Sequence, residues 1–176
     1  MVLKCSKHLS LTRLWIGLIV LVVLGSCKIN YSFTGASISP DTKTVSVQFF
    51  KNNAQLVQPT LCQSLTEALK DRFVSETSLT LVENLGDLDF EGEITNYVVT
   101  PVAIQGNETA ALNRLTVSIR VIFVNFKDEK QSFEANFSRY EDFESTQNIS
   151  SVEEELINTI NAQLVEDVFN KALVNW

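Results

Sequence analysis

The stretch that decides the fold reads "RLTVSIRVIFVNF" and runs from Arg114 to Phe126. Every second residue from Leu115 to Phe123 is apolar, which is the period of a β-strand with one buried face. The other face of the strand begins polar and ends apolar. A strand that is apolar on both faces at one end is covered on both sides there, either by the chain itself or by a partner.

Four other segments have strand patterns on either side of this stretch. They are residues 43–50, 79–82, 88–99 and 131–143, of which the second is a short edge strand. In the first segment Val45, Val47 and Phe49 alternate with polar residues and are expected to share one face. The charged sequence "KDEK" at 127–130 predicts the turn of a hairpin between the 114–126 strand and the last segment.

Two segments have the spacing of an amphipathic helix, with apolar residues three and four positions apart. The first covers about residues 59–76, and Pro59 suits its first turn because the missing proline N–H has no helical partner there. The second is the C-terminal segment, where apolar residues recur every four positions over 152–168. Ser150 and Ser151 are each followed three residues later by a glutamate, and this capping-box spacing predicts the helix start at these serines.

The order of elements is therefore strand, helix, several strands and helix. The economical solution is an α+β fold in which an antiparallel or mixed sheet of about four strands carries two helices on one face. We expect this single domain to cover residues 43–176. A signal peptide over residues 1–26 and a short tether over residues 27–42 are expected to precede it.

The N-terminal segment has the pattern of a bacterial lipoprotein signal. Basic residues precede an apolar run at 14–24, which is shorter than the about 20 residues that a membrane-spanning helix needs. The run ends in "LGSC", which resembles a lipobox and implies cleavage before Cys27 and acylation of that cysteine. We expect this covalent lipid and no other cofactor. The alternative is an ordinary signal peptide that is cut elsewhere, with Cys27 incidental.

The composition excludes several classes of function. The chain has 14 basic and 21 acidic residues, and three of the basic ones lie in the signal, so the mature chain has a net charge of −10. Nucleic-acid binding is not expected, because it needs a basic surface. The sole histidine, His8, also lies in the signal, which excludes histidine-based triads and metal sites from the mature chain. We expect no catalytic residues and no metal, and we expect Cys62 to be a small core residue.

The basic residues of the mature chain are few, and some are candidate contacts for lipopolysaccharide or for a partner. The candidates are Arg114 and Arg120 on one face of the same strand, Lys127 and Lys130 around the next turn, and Arg139 on the neighbouring strand. One interpretation is that they bind an anionic ligand, such as the phosphorylated head of a glycolipid. The alternative is pairing with acidic residues of neighbouring strands, namely Glu134, Glu141 or those in 89–93.

Four stretches carry a family resemblance: "YSFTGASISPDTKTVSVQFFKNNAQLVQPTLCQSLTEALKDRF", "LDFEGEITNYVVTPVAIQGNETAALNRLTVSIRVIF", "FSRYEDF" and "LVEDVFNKALVNW". Together they resemble the LptE family of lipopolysaccharide-assembly lipoproteins, in its Bacteroidetes-type form. The resemblance implies two helices on a four-stranded sheet. It also implies a non-enzymatic lipoprotein that acts with the LptD β-barrel, as plug and assembly factor, in delivering lipopolysaccharide to the outer leaflet.

The residues after Cys27 bear on the location of the anchor. The stretch "KINYSF" has no aspartate at the second mature position and no acidic run, so we expect an anchor in the inner leaflet of the outer membrane, facing the periplasm. The leading hypothesis is a partner of an LptD-like β-barrel. The alternative is a periplasmic glycolipid-binding or carrier lipoprotein, suggested by the strand end at 122–126 that is apolar on both faces. Direct binding of lipopolysaccharide or lipooligosaccharide is left open.

Overall fold

The computed structural model describes residues 38–56, 58–102 and 111–174. Cys27 and the signal peptide lie outside the described residues, as does most of the expected tether. The elements in chain order are β1 (Thr44–Val47), β2 (Lys51–Asn52), α1 (Pro59–Glu76), β3 (Thr80–Leu81), β4 (Leu88–Val102), β5 (Leu112–Asn125), a short 3₁₀ helix (Glu129–Gln131), β6 (Phe133–Glu144) and α2 (Ile149–Leu173).

The strands form one mixed sheet in the order β3-β1-β4-β5-β6, and β2 pairs with β4. The pairs that involve β1, β2 and β3 are parallel, whereas β4, β5 and β6 form an antiparallel meander. The predicted α+β fold is confirmed. The sheet has six strands rather than about four. β3 is the short edge strand predicted at 79–82, whereas β2 is two residues long and too short to show an alternating pattern.

The two helices are parallel to each other and cover one face of the sheet. The side-chain amide of Asn161, midway along α2, donates to the hydroxyl of Ser64, in the second turn of α1, at 2.9 Å. Further along, the rings of Phe73 and Phe169 are 5.3 Å apart between centroids. Helix α1 has the predicted bounds, with Pro59 in its first turn.

The start of α2 differs from the capping-box prediction. The N-cap is Asn148, whose side-chain oxygen accepts a hydrogen bond from the Ser150 backbone N–H at 3.1 Å. Ser150 and Ser151 therefore lie inside the first turn. An asparagine caps a helix as well as a serine does, so the spacing of serine and glutamate could not decide between these positions.

Strand β5 supplies the centre of the core. Its odd-numbered residues from Leu115 to Phe123 are buried beneath the helices. Aromatic rings extend this core, because Phe90 lies 4.7 Å from both Phe73 and Phe123 between ring centroids. Cys62 of α1 is buried in the same core, and this burial raises the pKa of its thiol. It is the small core residue that the sequence predicts.

The strand pattern predicted for residues 43–50 is wrong at Phe49. The alternation breaks after Gln48, so Phe49 is 61% exposed and Phe50 is fully buried. The ring of Phe50 lies against Gly92 of β4, where an added Cβ would be 2.3 Å from a ring carbon. The missing side chain of Gly92 makes room for Phe50, and this long-range fit is invisible in the local alternation.

A bulge in β4 between Ile94 and Asn96 also changes the alternation. Before it, Phe90 and Ile94 face the helices, and after it Tyr97 does so. The Tyr97 hydroxyl donates to the Glu153 carboxylate at the start of α2, and burial together with this carboxylate raises the tyrosine pKa. The bulge thus ties the middle of β4 to the first turn of α2.

Candidate functional site

The face of the sheet opposite the helices is called the open face. It is formed by the even-numbered residues of β5 and β6 together with the residues of β4 that lie beside them in register. Its β5 side chains, from Arg114 to Val124, are half-buried between the neighbouring strands. Two of the predicted basic candidates, Arg114 and Arg120, lie on this face as expected.

Arg114 is held by two neighbours on β6. Its guanidinium donates to both carboxylate oxygens of Asp142, at 2.7 and 2.9 Å. The same group lies 3.6 Å above the ring of Tyr140, a cation–π arrangement. The hydrogen bonds raise the pKa of Arg114 and lower the pKa of Asp142. Arg114 is therefore a fixed, charge-compensated side chain.

Arg120 bridges three strands of the open face. It donates to Glu134 of β6 at 2.8 Å and to Glu93 of β4 at 3.2 Å. Both bonds raise the pKa of Arg120, and the bond to Glu134 contributes more than the bond to Glu93. Both acidic partners were among the alternatives considered from the sequence. An incoming phosphate would have to compete with two carboxylates for this guanidinium.

The open face changes character along β5. Between the two arginines the hydroxyls of Ser118 and Ser138 are 2.9 Å apart and form a polar row. Beyond Arg120 the face becomes apolar, with Ile122 and Val124 half-buried and Phe126 53% exposed. The helix side of the same strand is covered by the chain itself. A surface that could meet a partner therefore remains on the open face.

Lys127 lies at the end of the sheet where β4 begins and β5 ends. Its ammonium is 3.0 Å from a carboxylate oxygen of Asp87. The other oxygen accepts the backbone N–H groups of Lys43 at 2.8 Å and Thr44 at 3.1 Å. These hydrogen bonds hold the pKa of Asp87 far below its usual range, and the bond from Lys43 contributes most. Lys130 lies in the adjacent 3₁₀ helix and is exposed, with no ion pair to any residue in the described ranges.

Arg139 does not join the arginines of the open face. It is an odd-numbered residue of β6 and points to the helix side, where it donates to both carboxylate oxygens of Asp167 on α2, at 2.6 and 2.5 Å. The bonds to Asp167 raise the arginine pKa. The structure thus brings Arg114 and Arg120 onto one face, and it separates them from Arg139.

Two important acidic partners, Asp87 and Asp142, were missed in the sequence. Asp142 lies within one residue of the position that the predicted turn at 127–130 sets opposite Arg114, so the sequence offered an approximate signal for it. Asp87 carried no signal, since its role depends on three segments that are distant in sequence.

Two surface depressions are formed by residues within the described ranges. One of about 70 Å³ lies on the open face beside Arg120 and Glu93. A larger one of about 430 Å³ lies between the first turns of the helices, lined mainly by polar side chains such as Ser64 and Glu153. Within the described ranges, no group of three or more His, Cys, Asp or Glu residues could hold a metal ion.

Comparison with known families decides what kind of protein carries this surface. The family model LptE, described as lipopolysaccharide-assembly, matches residues 42–172. The chain belongs to the LptE family. The match covers every element of the fold except the last residue of α2, and it confirms the resemblance seen in the sequence. A search of curated proteins gave no significant match.

Solved structures resemble this LptE family member at low sequence identity. A putative neuraminyllactose-binding hemagglutinin homolog from Helicobacter pylori has a TM-score of 0.53 at 8% identity, over 81% of this chain and 89% of that one. The rare lipoprotein B from Shewanella oneidensis has a TM-score of 0.48 at 10% identity, over 73% and 92%. A minor lipoprotein from Acinetobacter baumannii has a TM-score of 0.43 at 15% identity, over 74% and 91%. The first of these supports the fold alone.

Neither helix of the LptE fold described here is long and apolar enough to cross a membrane.

Proposed function

We propose that this LptE family member is an outer-membrane lipoprotein that partners an LptD-like β-barrel in lipopolysaccharide transport. The family match over residues 42–172 carries the proposal. In this role the protein is a non-enzymatic plug and assembly factor, anchored by acyl chains on Cys27 in the inner leaflet and facing the periplasm. The lipobox "LGSC" supports the anchor.

The open face is the surface that we assign to the barrel partner. Its arginines are already neutralised within the sheet, by Asp142 in one case and by Glu93 and Glu134 in the other. A face with internally paired charges can be covered by another protein without leaving a charge unpaired, which is the costly outcome in an interface. The pairing favours a partner contact over phosphate binding for Arg114 and Arg120.

The glycolipid carrier is the weaker alternative. A carrier needs a cavity that shields acyl chains from water, whereas the two depressions described above, both formed by residues of the described ranges, are small or mainly polar. Mass spectrometry of the purified mature chain separates the two functions. A carrier retains bound lipid beyond the Cys27 anchor, whereas a barrel partner without a lipid site retains none.

Affinity purification from outer membranes in mild detergent tests the partnership. The tagged protein should recover a large β-barrel in stoichiometric amount, and a Cys27→Ala variant should be lost from the membrane fraction. Recovery of the wild-type protein alone would contradict the proposal. Retention of Cys27→Ala in the membrane with a bound palmitate analogue would show that the anchor lies elsewhere.

A further inference from the structure

Three chain segments meet at one end of the sheet, which is called the tether end. Asp87 joins them, because its carboxylate accepts the N–H groups of Lys43 and Thr44 and its carbonyl accepts the N–H of Phe126 at 2.9 Å. The ion pair of Asp87 with Lys127 closes the same junction. The point where the chain enters β1 is thus fixed against the loop before β4 and the turn after β5.

Two apolar side chains are exposed at this end. Leu85 is 70% exposed and lies in the loop that leads to Asp87. Phe126 is 53% exposed, and its backbone N–H donates to the Asp87 carbonyl. Phe126 also continues the apolar end of the open face, after Ile122 and Val124. Leu85 and Phe126 belong to two segments that the backbone hydrogen bond of Phe126 to Asp87 holds together, so they supply the apolar side chains of the tether end.

The expected anchor indicates what covers this surface. About ten residues separate Cys27 from Ile38, and such a stretch reaches at most about 40 Å even when fully extended. A short tether gives the tethered surface a high effective concentration at the membrane, so that a contact too weak to form in solution is populated. The tether end is the part of the domain from which that tether departs.

We propose that, before the domain engages the barrel partner, Leu85 and Phe126 insert into the phospholipid leaflet that holds the acylated Cys27, and so orient the domain on the membrane. This inference rests on the proposed anchor. The segments of the tether end carry charges of both signs, with Lys43 and Lys127 basic and Glu83 and Asp87 acidic. The contact therefore depends on apolar insertion, as in interfacial segments of monotopic proteins, and it does not require anionic lipid.

Depth-dependent fluorescence quenching tests the proposal. The acylated mature chain is reconstituted into phosphatidylcholine vesicles with brominated acyl chains, in a Trp176→Phe background that leaves no other tryptophan. Single reporters are Leu85→Trp and Phe126→Trp. The matched control is Tyr140→Trp, because Tyr140 is 50% exposed on the same open face but lies level with Thr116, about 30 Å along β5 from Phe126.

Quenching at positions 85 and 126 should exceed that at position 140 by about threefold or more, and replacing part of the lipid with an anionic one should not change the ratio. Equal quenching at all three positions, or quenching at the tether end only with anionic lipid, would overturn the inference. Vesicle flotation separates the two failures. If the chain floats but quenching is equal at all positions, the anchor is supported and the contact of Leu85 and Phe126 with lipid is contradicted. If the chain does not float, the anchor itself is contradicted.

Discussion

Phe50 lies over the one position of β4 that carries no side chain. A Cβ on Gly92 would come within 2.8 Å of three ring atoms of Phe50, closer than real Cβ atoms approach their neighbours. The fully buried ring of Phe50 therefore lies over Gly92, between the part of β4 that pairs with β1 and the part that pairs with β2. This fit also explains why the exposed residue of the pair is Phe49 and the buried one Phe50, the reverse of the simple alternation.

Gly92→Ala should destabilise the fold by about 1–3 kcal/mol, because the added methyl group overpacks the core. The Phe50→Leu background should reduce that cost, since the smaller side chain leaves space for the methyl. Urea unfolding of the four proteins of this double-mutant cycle measures the coupling. An equal cost of Gly92→Ala in both backgrounds would show that Phe50 is not what Gly92 accommodates.

Asp87 makes the free energy of unfolding depend on pH. Its pKa is lowered in the folded state by the N–H groups of Lys43 and Thr44 and by Lys127. Ionised Asp87 therefore stabilises the fold above the unfolded-state pKa of about 4, and this contribution is lost as the pH falls below that value towards the folded-state pKa.

Asp87→Asn should accordingly be more destabilising at pH 7 than at pH 3. Urea unfolding of wild type and variant at both pH values checks the difference. Asp71→Asn on the exposed side of α1 controls for the loss of one negative charge. A difference between wild type and Asp87→Asn that stays constant from pH 7 to pH 3 would contradict the role of the carboxylate.

At the scale of elements, the alternation in β5 was enough to predict the strand and its buried face. The spacing in α1 likewise predicted both ends of that helix. The predicted turn at 127–130 gives the register of the β5–β6 hairpin to within one residue, and the structure places Arg114 opposite Asp142. Such features are local, and a local pattern specifies them.

Other features could not be read from local patterns. The bulge after Ile94 inserts one residue into β4, and only the pairing partner β5 shows where the alternation resumes. Strand β2 exists because Lys51 and Asn52 lie beside Glu93 and Ile94, which are distant in sequence. The alternation of β6 places Arg139 on the helix side, but its partner there, Asp167 of α2, could be known only from the tertiary structure.

The cap of α2 gives a prediction at the same scale. Asn148→Ala should destabilise the protein by about 1 kcal/mol, because the Ser150 N–H loses its acceptor at the helix start. Ser150→Ala should have little effect, since Ser150 lies inside the first turn. Thermal unfolding of the two variants compares the positions. A larger cost for Ser150→Ala would restore the capping-box assignment.

At the scale of the whole molecule, the two faces of the sheet have different tasks. The helices and the odd-numbered residues of β5 build the core that keeps the domain folded. The open face holds charges that are paired with each other, and it has no covering element within the described ranges. This division fits a domain that presents one face to a larger partner, which is the role that we propose for this LptE family member.

Site-specific photo-crosslinking in cells is the most direct test of that role. A crosslinker at Ser138, on the open face, should give an adduct with a large outer-membrane β-barrel. The control position is Ala162, which is exposed on α2 and should give less adduct than Ser138. Adduct formation from Ala162 but not from Ser138 would contradict the assignment of the open face, and the absence of a barrel adduct from both positions would contradict the partnership itself.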